Sequence, residues 1–201
     1  ALASEPADTD EFLVSDAGVL KRIDYSLIKP SGSLTKISTT TISSAASSTL
    51  DVFTSTYRNY RIIGSGFTPA TDDVALNIEI YQSDDTEAGS YYWSGFAINE
   101  AGSDNGTTVT QGGTNEGTLR IFQGADTAGD ASQVNFDMMV YQPQIAADTT
   151  ISVQSAGRVD PTRGSVQLYG GFGGSTAVMT KIKFSFSSGN IANGVVTVYG
   201  L

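Results

Sequence analysis

The sequence predicts an all-β protein built as an antiparallel β-sandwich. Stretches in which apolar and polar residues alternate recur along the chain, and such alternation is typical of half-buried strands. Glycine, serine, asparagine and aspartate cluster between these stretches, where turns are expected. No segment carries a helical period longer than a turn or two, which argues against a helical bundle and a parallel α/β fold.

The composition indicates one main core and excludes several partners. The 201 residues are 39% hydrophobic and only 16% charged, which is enough apolar material for one β domain. With 21 acidic and 11 basic residues the net charge is -10, so the chain repels phosphate backbones and nucleic acid is not an expected partner. No apolar run approaches the roughly 20 residues needed to cross a bilayer, so membrane insertion is not expected.

The absence of histidine and cysteine restricts the possible chemistry. Without histidine the chain lacks the usual general base and the commonest transition-metal ligand. Without cysteine it has no disulfides, no thiolate nucleophile and no cysteine zinc site. We therefore expect a non-enzymatic protein without cofactors, and a glycosidase that uses only carboxylates remains the enzymatic alternative.

The N-terminal region is predicted to be an extended arm followed by a small hairpin. Residues 1–8 are small and polar, and two apolar runs, at 12–14 and 19–23, flank a turn at residues 15–18. A single helical turn follows through Tyr25. Because an isolated hairpin is marginal in water, its larger apolar side chains are expected to pack on another chain or on the main domain. These are Phe12, Val14, Leu20 and Ile23.

The chain begins at Ala1 without methionine, which leaves open removal of an initiator, proteolytic maturation and a fragment of a longer protein.

Residues 34–48 are rich in serine and threonine and fit a linker or an edge strand. The threonine content favours the strand, because threonine suits a pleated, half-buried surface. We place the boundary after residue 48, with 1–48 serving attachment and oligomerisation and 49–201 forming the sandwich.

Eleven segments of the sandwich domain alternate or are rich in β-branched residues, and each is predicted to be a strand. They lie at residues 50–54, 59–66, 74–82, 90–98, 107–110, 119–123, 133–142, 150–155, 165–170, 180–186 and 195–199. The last two are predicted to pair as a closing hairpin across a turn at residues 187–190.

The best candidate for a ligand site combines carboxylates and aromatic rings in one segment. Asp84 and Asp85 precede Tyr91, Tyr92 and Trp93, the only tryptophan of the chain. Sugars stack on exposed aromatic rings while carboxylates accept hydrogen bonds from their hydroxyls. The alternative follows from strand geometry, because Tyr91 and Trp93 point to one face and Tyr92 to the other, so that one side belongs to the core.

Two further features were weighed as sites. Residues 170–174 are predicted to form a flexible glycine-rich loop with Phe172 tucked in or presented to a partner, which adds Phe172 to the candidate glycan contacts. The acidic pairs Asp72-Asp73, Asp84-Asp85 and Asp104-Asn105 raise the question of calcium. Their spacing matches no EF-hand loop and these residues are ordinary in turns, so no metal site is predicted.

Three stretches carry a family resemblance: residues 8–23 (DTDEFLVSDAGVLKRI), 53–63 (FTSTYRNYRII) and 184–194 (FSFSSGNIANG), the last followed by VYGL at the end of the chain. Together they resemble jelly-roll structural proteins of tailed bacteriophages, particularly fibre and appendage proteins of marine phages. The resemblance implies a jelly-roll-like form of the sandwich. In that fold Tyr57 and Tyr60 would lock the corner before a core strand, and residues 187–190 would make a tight corner.

The resemblance also implies a function and partners. It implies a virion structural protein, assembled in the host cytoplasm, that forms homotrimers and serves as a tail-fibre or appendage subunit in attachment or host-surface recognition. The N-terminal arm would contact other virion proteins, and a host-surface glycan is a further expected partner. A capsid decoration or cement protein and a carbohydrate-binding module are the alternatives. No catalytic residue comes with the resemblance.

Overall fold

The computed structural model describes residues 6–7, 9–28, 34–101, 104–126, 133–160 and 163–201. The chain divides into two compact units, Ala1–Ser33 and Leu34–Leu201. The first contains β1 (Glu11–Asp16) and β2 (Val19–Asp24), paired antiparallel, and the single helical turn α1 (Tyr25–Ile28). The predicted hairpin and helical turn are therefore confirmed. The predicted arm at residues 1–8 lies outside the described residues except for two positions.

The register of the hairpin divides its apolar side chains between both faces. Phe12 pairs with Ile23 and packs against Tyr25, with ring centroids 5.9 Å apart. Leu20 pairs with Ser15 and shares the opposite face with Leu13. Leu13 and Leu20 are 73% and 72% exposed. No described residue of this unit is buried, so the hairpin has no core of its own.

The second unit is an antiparallel, jelly-roll-like β-sandwich, as the sequence predicts. An eight-stranded sheet, the large sheet, has the order β3-β14-β5-β10-β11-β12-β7-β8, and a four-stranded sheet, the small sheet, has the order β4-β13-β6-β9. The strands are β3 (Thr35–Ala45), β4 (Ser47–Asp51), β5 (Asn59–Pro69), β6 (Val74–Tyr81), β7 (Tyr91–Ala101), β8 (Asp104–Glu116), β9 (Leu119–Ala125), β10 (Val134–Tyr141), β11 (Thr149–Asp160), β12 (Arg163–Gly173), β13 (Lys181–Phe186) and β14 (Ile191–Gly200).

Every predicted strand overlaps an observed one, and the Thr-rich segment before them is also a strand. β3 pairs with β14 at the edge of the large sheet, so the strand interpretation of residues 34–48 is the observed one. The compact sandwich unit starts at Leu34, whereas the sequence placed the boundary after residue 48. The difference arises because the polar surface of an edge strand resembles that of a linker.

The closing hairpin is a wrong prediction. β13 pairs with β4 and β6 in the small sheet, while β14 pairs with β3 and β5 in the large sheet. Residues 187–190 therefore turn the chain from one sheet to the other, which is the tight corner that the resemblance implies. Both strands bury one face in the same core, so a hairpin and a sheet-to-sheet corner carry the same local pattern.

The core between the sheets is built from aliphatic and aromatic side chains. Phe67 and Phe136 of the large sheet contact Phe184 of the small sheet, with ring centroids 6.0 and 5.7 Å from that of Phe184. Tyr60 is also buried, and its hydroxyl donates to Thr54 O and accepts from Thr54 N, both at 2.6 Å. Tyr60 thereby locks the corner before β5, as the resemblance implies.

Several large rings lie across glycines of the neighbouring strand. Gly64 pairs with Phe136 and Gly95 with Tyr169, and in each case a Cβ added to the glycine would collide with the ring. Trp93 lies between Gly171 and Gly113 on the strands either side. Glycine is required at 64, 95 and 113 by the close approach of a ring, and at 171 by the close approach of the Tyr92 carbonyl oxygen and Trp93 Cβ.

A buried side-chain amide joins the two sheets. Gln167 of β12 accepts a hydrogen bond from Gln123 N of β9 at 2.8 Å and donates one to Gln123 O at 2.9 Å. The Tyr169 hydroxyl donates to Gln167 Oε1 at 2.8 Å. Burial raises the pKa of Tyr169 to about 12, so this hydroxyl stays a donor at neutral pH. The amide thus serves as a backbone partner for the edge strand β9.

Replacement of this amide tests its role. Gln167→Leu keeps most of the side-chain volume but leaves both Gln123 backbone groups without their partner. We expect the free energy of unfolding to fall by about 2 kcal/mol or more, since a buried polar group without a partner costs about 1–3 kcal/mol. Urea denaturation measures the change. Gln154→Leu, the same replacement on the exposed face of β11, should stay within about 0.5 kcal/mol of the parent.

The ring-over-glycine packing gives a second prediction. Gly64→Ala places a methyl group against the Phe136 ring and should lower the free energy of unfolding by about 1–3 kcal/mol, the usual cost of overpacking. Gly117→Ala is the matched control because the space around this glycine is open. Equal stability of the two variants in urea would contradict the packing role.

Candidate functional site

The structure separates the three neighbouring aromatic residues of the predicted site. Tyr91 is fully buried, and its hydroxyl accepts a hydrogen bond from Ile80 N at 2.7 Å. Burial raises the pKa of Tyr91. Trp93 is 8% exposed, makes an edge contact with Tyr169 and lies under the guanidinium of Arg120, 5.1 Å from the ring centroid. Tyr91 and Trp93 therefore belong to the core, as the strand alternation indicates, and leave Tyr92 on the surface.

The two predicted carboxylates act within their own loop and on the small sheet. The Asp84 carboxylate accepts a hydrogen bond from Thr86 N at 3.0 Å, which lowers the pKa of Asp84. Asp85 forms an ion pair with Lys181 of β13 at 2.6 Å. Tyr92 and Phe172 instead belong to β7 and β12 of the large sheet. The structure thus splits the predicted carboxylate-aromatic cluster.

Tyr92 and Phe172 form an exposed aromatic pair. They face each other on the paired strands β7 and β12, with ring centroids 5.2 Å apart and ring planes 17° apart. They are 37% and 36% exposed. Phe172 was predicted in a flexible loop, but β12 continues through Gly173. The prediction failed because glycines of this strand allow close packing, Gly171 against Trp93 and Gly173 against Ala88 and Ile80, and do not mark a loop.

A trough crosses the outer face of the large sheet beside this pair. It consists of two neighbouring clefts of about 540 and 530 Å³. Both clefts are lined by Ser152, Leu168 and Tyr169, and the second extends to Phe172. The first cleft also contains Leu34, Arg61, Asp137, Met139, Val153, Gln154 and Leu201. The trough therefore runs from the end of the chain to the aromatic pair.

A paired cation and anion lie in the first cleft. Arg61 of β5 donates to Asp137 of β10 from Nε to Oδ1 at 2.9 Å and from a terminal nitrogen to Oδ2 at 2.5 Å. This bidentate bond to Asp137 raises the pKa of Arg61. The side chains are 38% and 45% exposed, so both present polar atoms to a ligand in the trough.

Sequence reasoning missed this pair, although a signal is present. Arg61 stands between Tyr60 and Ile62, and Asp137 between Phe136 and Met138, so each is the outward charge of a strand whose neighbours are buried. Such a charge is ordinary on a solvated strand face. Only the pairing of β5 with β10 brings the two together.

Apolar residues extend the same outer face beyond the trough. Phe96 pairs with Leu168 and Ile98 with Val166 on β7 and β12. Each of the four is more than a third exposed. Together with Tyr92 and Phe172 they make this side of the sheet unusually apolar for a solvated surface.

The small sheet carries a second polar cluster. Lys183 forms an ion pair with the buried Glu79 at 2.8 Å, and the Tyr81 hydroxyl donates to Glu79. Glu87 lies in the loop between β6 and β7. Burial raises the pKa of Glu87, and the negative charge of Glu79 raises it further. Within the described ranges no three acidic side chains cluster as a metal site would require. Glu79 is thus engaged in structural bonds.

The raised pKa of Glu87 gives a prediction with a defined sign. Since folding raises this pKa, ionisation of Glu87 costs stability as the pH rises through its folded-state value. Glu87→Gln should therefore raise the urea midpoint at pH 7, and the gain should vanish below the ordinary pKa of 4.5. Asp84→Asn is the control, because the pKa of Asp84 is lowered and its neutralisation gives no gain at pH 7. A gain for Glu87→Gln that persists in acid would contradict the assignment.

Comparison of the chain with known protein families, curated proteins and solved structures gives no match. Across the described residues, no helix has the length and apolar character needed to span a membrane.

Proposed function

We propose that this chain is a non-enzymatic structural subunit of a virus particle, a trimeric tail-fibre or appendage protein that takes part in attachment to the host surface. The observation that carries the proposal is the contrast between the two units. A complete sandwich follows a hairpin that has no buried residue among those described. Such a hairpin gains stability when another chain covers it.

The exposed side chains of the hairpin favour assembly with other copies. Leu13 and Leu20 of the hairpin, and Leu27 of the helical turn α1 that follows it, are each more than 70% exposed. Apolar groups on both faces of a hairpin would be covered if several copies packed around one axis, as in a homotrimer. The preceding arm would then be free to bind other virion proteins. The resemblance of residues 8–23 to phage appendage proteins agrees with this arrangement.

The composition and the outer face favour recognition over catalysis. The chain lacks the histidine and cysteine that most hydrolytic sites use. The outer face of the large sheet carries an open trough with an ion pair and an aromatic pair. Surfaces of this kind suit binding of an extended partner.

The mass of the native assembly tests this proposal. We expect the full chain to form a particle of three times 21.0 kDa. The double variant Leu13→Asp and Leu20→Asp should be monomeric, with unchanged thermal unfolding of the sandwich, because the charges oppose burial of the hairpin. Val178→Asp, which places the same charge on an exposed residue of the sandwich unit, should remain trimeric.

A monomeric parent chain would contradict the proposal. The place of the subunit in a particle separates the two virion roles, since a fibre occurs in small multiples of the tail symmetry and a capsid decoration protein follows the copy number of the capsid.

A further inference from the structure

We propose that the trough on the outer face of the large sheet binds an uncharged oligosaccharide, with the Arg61–Asp137 pair bonding hydroxyls and the Tyr92–Phe172 pair contacting a sugar ring. The inference rests on the proposed recognition function and names the chemical class of the partner.

The ion pair offers donors and acceptors side by side. A guanidinium has five N–H donors, and Asp137 takes two of those of Arg61. Each carboxylate oxygen of Asp137 keeps a further lone pair. A sugar hydroxyl both donates and accepts, so two adjacent hydroxyls can bond to the guanidinium and the carboxylate at once. Gln154 and Ser152, from the next strand, add an amide and a hydroxyl to the same surface.

The charge of the trough favours an uncharged ligand. Arg61 and Asp137 neutralise each other, and no other side chain that lines the two clefts is charged. The chain as a whole carries a net charge of -10. Sulfated and uronic acid glycans are therefore repelled by the protein and find no unpaired cation in the trough.

The shape of the trough favours a ligand of several sugar units. Each cleft falls within the range of about 300–1,000 Å³ that ligand sites span, and the two clefts share Ser152, Leu168 and Tyr169 in their lining. The second cleft is lined by the small residues Ser94 and Gly170 and by the larger side chains of Phe96 and Leu168. One unit can bond to Arg61 and Asp137 while another lies against Phe172.

The ion pair also argues against a second copy of this chain as the occupant. A dry protein interface would strip water from both charged groups, and this desolvation offsets much of the gain from burial of Phe96 and Leu168. Sugar hydroxyls replace the hydrogen bonds of the displaced water and avoid this cost.

Binding by the full chain to neutral oligosaccharides tests the inference. The probes are gluco-, galacto- and manno-configured oligosaccharides of several units, together with their sulfated and uronic acid counterparts. We expect a neutral probe to bind. Arg61→Ala and Phe172→Ala should each raise its Kd at least about tenfold, which corresponds to about 1.4 kcal/mol. Gly170→Leu, which fills the second cleft without removal of a side chain, should abolish binding.

Two controls keep loss of folding apart from loss of binding. Val178→Ala truncates an exposed side chain that lines neither cleft and should bind like the parent. The urea midpoint of Arg61→Ala should change little, because exposed ion pairs contribute at most about 1 kcal/mol.

Several results would overturn the inference. These are binding of no neutral probe, preference for charged probes, or unchanged affinity in Arg61→Ala and Gly170→Leu. A lower native mass of the Phe96→Ser and Leu168→Ser variants would show that this face binds a second copy of the chain. The native mass and the binding of sugar are measured separately, so the two proposals can fail independently. A trimer that binds no neutral sugar contradicts this inference and supports the subunit role. A monomer that binds a neutral sugar supports this inference and contradicts the subunit role.

Discussion

The packing of large aromatic rings over glycines on the next strand is the constraint on which the sandwich depends. Phe136 covers Gly64, Tyr169 covers Gly95, and the Trp93 ring covers Gly113. A flat ring replaces the missing side chain of the glycine and fills the core at the density that interiors require. The same contact fixes the register, because a slip by one residue would turn every side chain to the other face.

This register determines the outer face as well. Side chains alternate along a strand, so each ring placed inwards leaves its neighbours outwards. Inward Phe136 places Asp137 outwards, and inward Trp93 places Tyr92 outwards, opposite Phe172. The trough is thus positioned by the core beneath it and not by mobile loops, which suits a binding surface that has to be formed before its ligand arrives.

Local patterns were sufficient to predict the strands and the N-terminal hairpin. They also predicted that Tyr91 and Trp93 point to one face of their strand and Tyr92 to the other. They were insufficient where the outcome depends on distant residues. The patterns of β13 and β14 fit a hairpin as well as a corner between sheets. The glycines of β12 give that segment the composition of a loop, and only the pairing of Gly171 with Trp93 on β7 explains glycine within a strand. Arg61 and Asp137 are 76 positions apart, and no local signal predicts that they meet.

The amide of Gln167 has a further consequence for the edge of the small sheet. β9 is the edge strand of the small sheet, and an edge with open backbone groups invites pairing with a foreign strand. Gln167 occupies both backbone groups of Gln123, and the Ser155 hydroxyl occupies Ile121 O at 2.6 Å. Side chains from within the same chain therefore shield this border against the edge-to-edge pairing that leads to fibrillar aggregation.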